Sequence, residues 1–414
     1  MIKSIKRWCA ILLLTIAYGS VILLARICGS PVAAKRAAKS RRLLVVGTFH
    51  NPNWFYAHLE PLARCSSSEV FLIADGHTGN IRGLRVITPH PLAARVLSRA
   101  GAKSLWAFWY AIKLRPDLYM GYAIFPAATT ALLLGRIFRR PACFQVTSGP
   151  LELAGGGFHA ENPVLAALGR PSGWIERLAF ELTRHFELVV VRGDQAEKYI
   201  RGFGADNRII SITGSVEMPA EVPDIVSRPL DIVFVGRLTK RKRPDRFVAA
   251  VKGVTAKIPQ VRASIVGDGP EMDTLRQQIS ELGLEANIEL LGLRHDVLEL
   301  LKDAKIFALT SRWEGVSIAM LEAMASGTIP VVSDVGDVRD VVSSGENGVV
   351  LDENDIDGFA NNIADLLKNN DKLTRLSNAA RMTVLSRNSR AAVTEKWTRT
   401  LRSIDAIEDA VDPA

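Results

Sequence analysis

The sequence predicts two α/β domains, each built on a doubly wound parallel sheet, behind an apolar helix at the N-terminus. Short apolar runs typical of buried strands alternate with helical segments along both halves of the chain. In the C-terminal half, glycine-containing loops follow these runs at the strand ends where doubly wound sheets bind ligands. A length of 414 residues with 48% hydrophobic and 23% charged residues is sufficient for two cores.

Residues 1–40 form the predicted membrane segment and basic linker. The stretch 8–24 is uncharged and apolar, has basic residues on both sides, and lies at the short limit for crossing a bilayer. Arg26 and the basic residues after it favour an anchor over a cleaved leader. The larger positive charge follows the segment, which places the rest of the chain at the cytoplasmic face of the cell membrane. The alternative is a helix that lies on the membrane surface or packs against protein.

The first α/β domain is predicted at 41–215, and a polar stretch with three prolines at 216–229 is predicted as the linker to the second. The strand-like apolar runs of the first domain are 43–46, 70–74, 117–121, 143–147 and 188–191.

The second domain, 230–385, opens with an apolar run at 232–235 that ends in Gly236 and Arg237. Arg237 offers a rigid fork for phosphate oxygens and Lys242 a mobile point charge. At a strand end, the two could neutralise a diphosphate without a metal ion. The remaining cations of this stretch are expected to be solvated surface residues: Lys240, Arg241 and Arg243.

Two carboxylates with seven residues between them, Glu314 and Glu322, surround the predicted start of an apolar helix that follows the strand-like run 305–310. The backbone amides of Gly315, Val316 and Ser317 would face an anion at that helix start. A carboxylate beside an anion site is best explained by sugar hydroxyls, which donate hydrogen bonds to it. The alternative is one glutamate favoured by the helix dipole and a second facing solvent.

These motifs, together with the glycine-containing loops in order along 231–385, resemble the C-terminal half of retaining glycosyltransferase family 4, and Glu314 and Glu322 match its E-x7-E motif. The resemblance implies a GT-B architecture: two Rossmann-like domains facing across a cleft, with a nucleotide sugar held mainly by the C-terminal one. It also implies that the segment 386–414 contains a helix that crosses back to the first domain.

The resemblance assigns roles residue by residue. Arg237 and Lys242 correspond to the diphosphate clamp, Glu314 to the ligand of the sugar hydroxyls, Gly315 and Val316 to the backbone cradle, Glu322 to the ribose ligand, and Arg294 to the position that holds the nucleobase through its main chain.

In the first domain, the loop with three consecutive glycines, 155–157, leads to His159. Family members commonly carry an acceptor-side histidine in a loop after a comparable strand, and His159 is the candidate. A histidine there could orient the acceptor hydroxyl or accept its proton. Glu152 and Glu161 are alternatives in the same loop, and an exposed loop histidine without a role is the plain interpretation.

The loop after the first strand is the place where GT-B enzymes bring a glycine to the donor diphosphate, and Gly47 fits that position. His50 and Asn53 are predicted acceptor contacts. Trp54 is predicted to belong to the core rather than to a sugar platform.

No cofactor is expected. No metal-binding motif stands out, and 355–357 is predicted to cap a helix. The four cysteines show no paired spacing, which indicates neither a zinc site nor a disulfide framework. The net charge of +9 suits nucleotide sugars and an acidic membrane surface. Nucleic acid is not an expected partner because the basic residues are dispersed without interleaved aromatic residues.

The predicted function is transfer of a sugar from a nucleotide-sugar donor to a hydroxyl acceptor, which is lipid-linked or a polysaccharide precursor, with retained configuration. Such an enzyme would be a retaining hexosyltransferase-type glycosyltransferase held at a membrane by residues 8–24. Two alternatives stay open: a nucleotide-sugar epimerase on the same fold, and a catalytically inactive membrane-bound scaffold.

Overall fold

The computed structural model describes residues 2–31, 41–49, 51–65, 68–76, 79–159, 162–205 and 208–410. The predicted acceptor contacts His50 and Glu161, and most of the predicted basic linker, lie outside these residues. The chain divides into two compact units. The first contains the chain up to Gly214 and again from Val393, and the second is Ser215–Ala392.

The strands are β1 (Arg41–Val46), β2 (Ser68–Ile73), β3 (Leu84–Ile87), β4 (Leu118–Tyr122), β5 (Ala142–Gln145), β6 (Leu188–Val191), β7 (Arg208–Ser211), β8 (Leu230–Val235), β9 (Ala263–Val266), β10 (Ile288–Gly292), β11 (Ala304–Leu309), β12 (Ile329–Ser333) and β13 (Val349–Leu351). The helices are α1 (Ile2–Cys28), α2 (Pro52–Ala63), α3 (Pro91–Leu114), α4 (Thr129–Phe138), α5 (Pro163–Ala166), α6 (Gly173–Thr183), α7 (Asp194–Gly202), α8 (Pro244–Thr255), α9 (Met272–Glu281), α10 (Val297–Asp303), α11 (Ile318–Ala325), α12 (Ile356–Leu367), α13 (Asn370–Arg387) and α14 (Arg390–Ala410).

The first unit has a seven-stranded sheet in the order β3-β2-β1-β4-β5-β6-β7, in which the paired strands are parallel. Alternate residues of β1 face opposite sides because side chains alternate along a strand. Leu44 and Val46 pack with α3 and α4, whereas Leu43 and Val45 pack with α2 and α14. Helices α1 and α6 extend the core on the α4 side. One face of the sheet therefore carries α1, α3, α4 and α6, and the other carries α2 and α14.

The second unit has a six-stranded sheet in the order β10-β9-β8-β11-β12-β13, again with parallel pairs. Helices α8, α9 and α12 cover one face, α10 and α11 cover the other, and α13 contributes to both cores. In both units the strand order reverses beside the first strand of the unit, as in Rossmann-like sheets. The predicted fold class of two Rossmann-like α/β domains is confirmed.

Two helix starts have capping hydrogen bonds, and the one at Asp355 confirms the predicted cap at 355–357. The Oδ1 atom of Asn162 accepts from the backbone amides of Val164 and Leu165 at the start of α5. The Oδ1 atom of Asp355 accepts from the Gly358 amide at 2.8 Å and begins α12. Both side chains satisfy amides that have no partner within their helix.

A buried arginine ties the entry of the second unit to its sheet. Arg228 donates from Nη1 to the Ala304 carbonyl oxygen at 2.7 Å and from Nη2 to the Ser326 carbonyl oxygen at 2.8 Å. These carbonyls lie at the start of β11 and just after α11, so one side chain fixes both ends of the segment that carries Glu314 and Glu322.

We expect Arg228→Met to lower the free energy of unfolding by about 3 kcal/mol, because two buried carbonyl oxygens lose their charged donor. Urea unfolding monitored by circular dichroism measures the loss. Arg276→Met is the matched control, since its side chain is largely exposed, and it should change stability by less than about 0.5 kcal/mol. Equal stability of the two variants would contradict the structural role of Arg228.

Candidate active site

Two loops of the second unit meet at the carboxyl ends of the adjacent strands β8 and β11. We call residues 236–243 the β8 loop and residues 310–317 the β11 loop. The Arg312 amide donates to the Arg241 carbonyl oxygen at 2.8 Å, and the Thr310 hydroxyl donates to the Arg243 carbonyl oxygen at 2.9 Å. These bonds hold the basic loop beside the loop that carries Glu314.

The closest contact between the two loops is the ion pair of Lys242 and Glu314. The Nζ atom of Lys242 lies 2.5 Å from Oε1 of Glu314, and the Ser311 hydroxyl donates to the same oxygen at 2.8 Å. Lys242 is 9% exposed and Glu314 is 5% exposed. The structure thus brings together the cation and the carboxylate that the sequence placed in one site. A buried ion pair is weak evidence for added stability, so a ligand-binding role is a natural reason for its presence.

Arg237 lies in the β8 loop, one residue beyond Gly236 at the end of β8. Its side chain is exposed, and it has no side-chain hydrogen bond or ion pair with the part of the chain that the structure describes. The guanidinium is therefore available for an anion beside the Lys242–Glu314 pair. Lys240 and Arg241 are exposed as predicted. For Arg243 the prediction of a solvated surface residue was wrong, because it is only partly exposed and pairs with Asp245 at 2.7 Å.

The helix that follows Glu314 begins later than predicted. Ser317 is extended, with φ −71° and ψ 124°, and α11 starts at Ile318. Val316 is buried in the core with Leu309 and Met320, so its side chain anchors the β11 loop instead of opening the helix. Gly315 and Val316 therefore lie in the loop ahead of the helix, and the prediction that their amides form the helix start was wrong.

Glu322 is the fifth residue of α11 and is largely buried. Removal of its carboxyl from water raises the pKa of Glu322 to about 7. A carboxyl group with a pKa near neutrality fits a functional role better than the alternative of a solvent-facing glutamate.

Sequence reasoning missed two residues that support Glu314. The Ser311 hydroxyl donates to the Glu314 Oε1 atom, which also pairs with Lys242. Gly336, in the loop after β12, has φ +57°, and a Cβ atom there would lie 1.6 Å from the Glu314 carbonyl oxygen. Both residues follow the carboxyl ends of strands, which is the sequence signal that could have identified them.

Arg294 follows β10, which ends at Gly292. Its exposed guanidinium binds Asp296 through two contacts, from Nε at 2.8 Å and from Nη2 at 2.5 Å. The side chain is engaged by its own loop, which leaves the main chain as the part of Arg294 that could face a nucleobase.

In the first unit, His159 is exposed and its ring lies 3.8 Å from that of Phe158. The three glycines before it have φ values of +60°, +79° and +76°. A Cβ atom on Gly157 would lie 2.6 Å from the Glu152 carbonyl oxygen. The glycines therefore serve close packing of this loop.

Glu152 is a buried structural residue. Its Oε1 accepts from the Ile124 amide at 2.6 Å, and its Oε2 accepts from the amides of Thr147 and Ser148 at 2.5 and 3.1 Å. Burial raises the pKa of Glu152 despite these hydrogen bonds. Both oxygens hold backbone, so this geometry gives no support to Glu152 as an alternative acceptor base.

Gly47 is buried directly after β1, and a Cβ atom there would lie 2.7 Å from the Phe49 ring. Its small size is thus required by packing, whatever else it binds. Trp54 is partly buried against the core, as predicted, with the Arg192 guanidinium 4.5 Å from its ring. Asn53, a predicted acceptor contact, is exposed in the first turn of α2.

The described residues contain no group of three or more His, Cys, Asp or Glu side chains that could hold a metal ion.

Comparison with solved structures defines the class of fold. The chain aligns with the crystal structure of Anabaena Alr3699/HepE in complex with UDP at a TM-score of 0.70 and 21% identity, over 87% of this chain and 100% of that one. Sucrose-phosphate synthase from Thermosynechococcus elongatus gives a TM-score of 0.70 at 17% identity, over 89% and 100% of the two chains. The protein has the GT-B fold class.

Sequence comparison finds a family model that matches the part of the chain that contains the candidate site. Residues 220–383, which lie within the second unit, match the family model "Glycosyl transferases group 1". A lipopolysaccharide core biosynthesis glycosyltransferase, LpsE of Rhizobium meliloti, is 29% identical over 208 residues, which are 50% of this chain and 58% of that protein. The Escherichia coli UDP-Gal:alpha-D-GlcNAc-diphosphoundecaprenol alpha-1,3-galactosyltransferase is 29% identical over 67% of this chain and 71% of its own length. These similarities support a glycosyltransferase family for the protein.

We expect Gly336→Ala to destabilise the second unit more strongly than backbone strain alone, because its Cβ atom would overlap the Glu314 carbonyl oxygen. Gly345→Ala is the matched control, since Gly345 also has positive φ, +83°, but has open space around it. The control should cost about 1 kcal/mol and Gly336→Ala at least about 3 kcal/mol in urea unfolding. Similar losses in both variants would show that Gly336 does not support Glu314.

The raised pKa of Glu322 predicts a pH-dependent stability. Between the ordinary value of 4.5 and about 7, the unfolded chain has released this proton while the folded chain retains it. Stability is therefore lost as the pH rises through this window, and the cost is fully present above about 7. Glu322→Gln should match the wild type near pH 4.5 and exceed it by up to about 3 kcal/mol near pH 8. Parallel unfolding curves at all pH values would contradict the burial of the charge.

Proposed function

We propose that the protein is a retaining glycosyltransferase of the family 4 type. It transfers a hexosyl group from a nucleotide-sugar donor to a hydroxyl acceptor that is lipid-linked or a polysaccharide precursor. The observation that carries this proposal is the buried Lys242–Glu314 pair, held between two strand-end loops in the domain that matches group 1 glycosyltransferases. The E-x7-E spacing of Glu314 and Glu322 supports the assignment to family 4.

On the donor side, Lys242 and Arg237 neutralise the diphosphate. Lys242 pairs with Glu314, and the diphosphate oxygens of a donor would offer it a stronger set of acceptors. Glu314 is then left to accept hydrogen bonds from the sugar hydroxyls. Ser311 keeps its contact with the Glu314 carboxylate and so preserves the position of that side chain.

The remaining contacts to the donor are assigned to the main chain and to the carboxyl group of Glu322. The amides of Gly315 and Val316 lie in the β11 loop, where they can cradle the diphosphate. Glu322 binds the ribose hydroxyls, and the main chain at Arg294 binds the nucleobase. By the family resemblance, Gly47 is assigned as a further contact to the diphosphate.

The chemistry follows from these charges. As the bond between the anomeric carbon and the diphosphate breaks, negative charge grows on the leaving group, and Arg237 and Lys242 stabilise it. The acceptor hydroxyl, oriented by His159, bonds to the anomeric carbon on the same face from which the diphosphate leaves, so the configuration is retained. The hydroxyl proton passes to an oxygen of the departing diphosphate. No metal ion is needed in this scheme because the two side chains supply the positive charge, and activity should persist in EDTA.

The names of the similar proteins support the substrate class. The Escherichia coli relative uses UDP-Gal and an acceptor linked to diphosphoundecaprenol, and the Anabaena structure contains UDP. We infer a UDP-hexose donor and a polyprenyl-diphosphate-linked acceptor. The apolar helix α1 supports action at the membrane, and the use of nucleotide sugars supports its cytoplasmic face.

Full-length protein incubated with a panel of nucleotide sugars and a polyprenyl-diphosphate-linked sugar tests the proposal. We expect transfer from one donor and an unchanged anomeric configuration of the product by NMR. Isomerised free donor in the absence of acceptor would instead indicate an epimerase. No turnover and no donor binding with any nucleotide sugar would indicate an inactive scaffold.

We expect Lys242→Met and Glu314→Gln each to reduce kcat/KM by at least about 100-fold, because each removes a group that meets the developing charge or the sugar. Each also leaves one member of a buried pair without its partner, which lowers stability. The double variant should regain stability without regaining transfer. Lys240→Met is the control within the same loop, since Lys240 is exposed, and it should keep nearly full activity. Recovery of transfer in the double variant would mean that the pair is only structural.

A further inference from the structure

Helix α1 has two apolar faces, and in the described part of the chain only one of them is covered. Its inner face packs on α4 and α6, with Leu14 and Tyr18 fully buried. Its outer face is an exposed stripe of large apolar side chains at helical spacing: Ile5, Trp8, Leu12, Ile16, Leu23 and Ile27. An uncovered stripe of this length indicates an apolar partner outside the first unit.

Polar contacts fix α1 to the first unit along its length. Near its start, Arg7 donates to the Leu168 carbonyl oxygen at 3.1 Å. In the middle, the indole of Trp174 donates to the Thr15 hydroxyl at 3.0 Å. Near its end, Arg26 pairs with Glu181 at 2.7 Å. Although the stretch Lys3–Cys28 is long and apolar enough to span a bilayer, with a mean hydropathy of 2.2, spanning would break these contacts and expose the buried inner face.

A second exposed stripe lies on α3, on the same side of the sheet as α1. After a kink at Ser98, α3 presents Leu105, Phe108, Trp109 and Ile112 to solvent at i, i+3, i+4 and i+7. Trp109 is 64% exposed. This spacing places the four side chains on one helical face, and the opposite face packs on the sheet through Ala107 and Ala111.

The charge of this side identifies its partner. Helices α1, α3 and α4 together contain nine Lys or Arg residues and no Asp or Glu. Three of the nine are paired with carboxylates outside these helices: Arg26 with Glu181, Lys103 with Asp75 and Arg136 with Glu187. The other six are Lys3, Lys6, Arg7, Arg95, Arg99 and Lys113, and they supply the positive charge of this side. A second copy of the same surface would meet like charge. An anionic lipid surface offers hydrocarbon to the two stripes and opposite charge to the basic residues around them.

We propose that the outer faces of α1 and α3 form one docking surface for an anionic lipid bilayer, and that α1 lies in the plane of that surface instead of crossing it. This inference deepens the proposed action on a lipid-linked acceptor, and it rests on that function for the choice of a membrane as partner. It makes the first unit, and not a single anchor helix, the part that binds lipid.

Flotation of the full-length protein with vesicles tests the surface. We expect binding to vesicles of phosphatidylglycerol and phosphatidylethanolamine, at least about 10-fold weaker binding to phosphatidylcholine vesicles, and weakening by added salt. Phe108→Glu/Trp109→Glu should reduce binding to the anionic vesicles by at least about 10-fold. Met382→Glu is the matched control, because Met382 is 59% exposed and lies in the second unit, and it should bind like the wild type.

Washing the isolated cell membranes with alkaline carbonate distinguishes a surface helix from a spanning one. We expect the protein to be released, as a surface-bound protein is. Retention after the wash, or anionic-vesicle binding that is unaffected by Phe108→Glu/Trp109→Glu, would overturn the proposal. So would a dimer in sedimentation that these substitutions dissociate while vesicle binding is unchanged. These assays contain no sugar donor, so a failure of transferase activity would leave their outcome intact.

Discussion

The candidate site depends on the buried contact between the Lys242 ammonium and the Glu314 carboxylate. The contact is possible because β8 and β11 are neighbouring parallel strands whose carboxyl ends meet at one edge of the sheet. The Arg312 amide donates to the Arg241 carbonyl oxygen and the Thr310 hydroxyl donates to the Arg243 carbonyl oxygen, which holds the two loops together. The Ser311 hydroxyl fixes the shared Glu314 oxygen. The two opposite charges therefore have little access to water. In the proposed function, a diphosphate would bind Lys242 and sugar hydroxyls would bind Glu314.

This arrangement explains why the surrounding residues differ so much in exposure. Arg237 is exposed without a described side-chain partner, whereas Lys242, five residues later, is buried. Glu322 lies in α11, where removal of its carboxyl from water raises its pKa to about 7. The candidate site therefore combines an exposed guanidinium, a buried ammonium and a carboxyl group with a raised pKa.

The first unit also contains a buried carboxylate and a group of basic residues, but they have different roles. Glu152 gives both carboxylate oxygens to backbone amides and shapes the glycine loop that leads to His159. On the face of the sheet that carries α1, α3, α4 and α6, the helices α1, α3 and α4 contain no acidic residues. Large apolar side chains of α1 and α3 are exposed on this face. We relate the glycine loop shaped by Glu152 to acceptor binding, and the outer faces of α1 and α3 to a lipid surface. Both proposed roles belong to the first unit and suit a lipid-linked acceptor.

The sequence alone determined the two α/β domains, because buried parallel strands leave continuous apolar runs and helix caps leave local signatures such as Asn162 and Asp355. It also determined which loops carry the charged residues, since they follow those runs directly. Contacts between distant segments were decided only by the tertiary structure. The start of α11 moved to Ile318 because Val316 is needed in the core, and Gly336 became essential only through its approach to Glu314. Likewise, helical periodicity cannot tell which apolar face of α1 is covered by protein, because burial depends on what packs there.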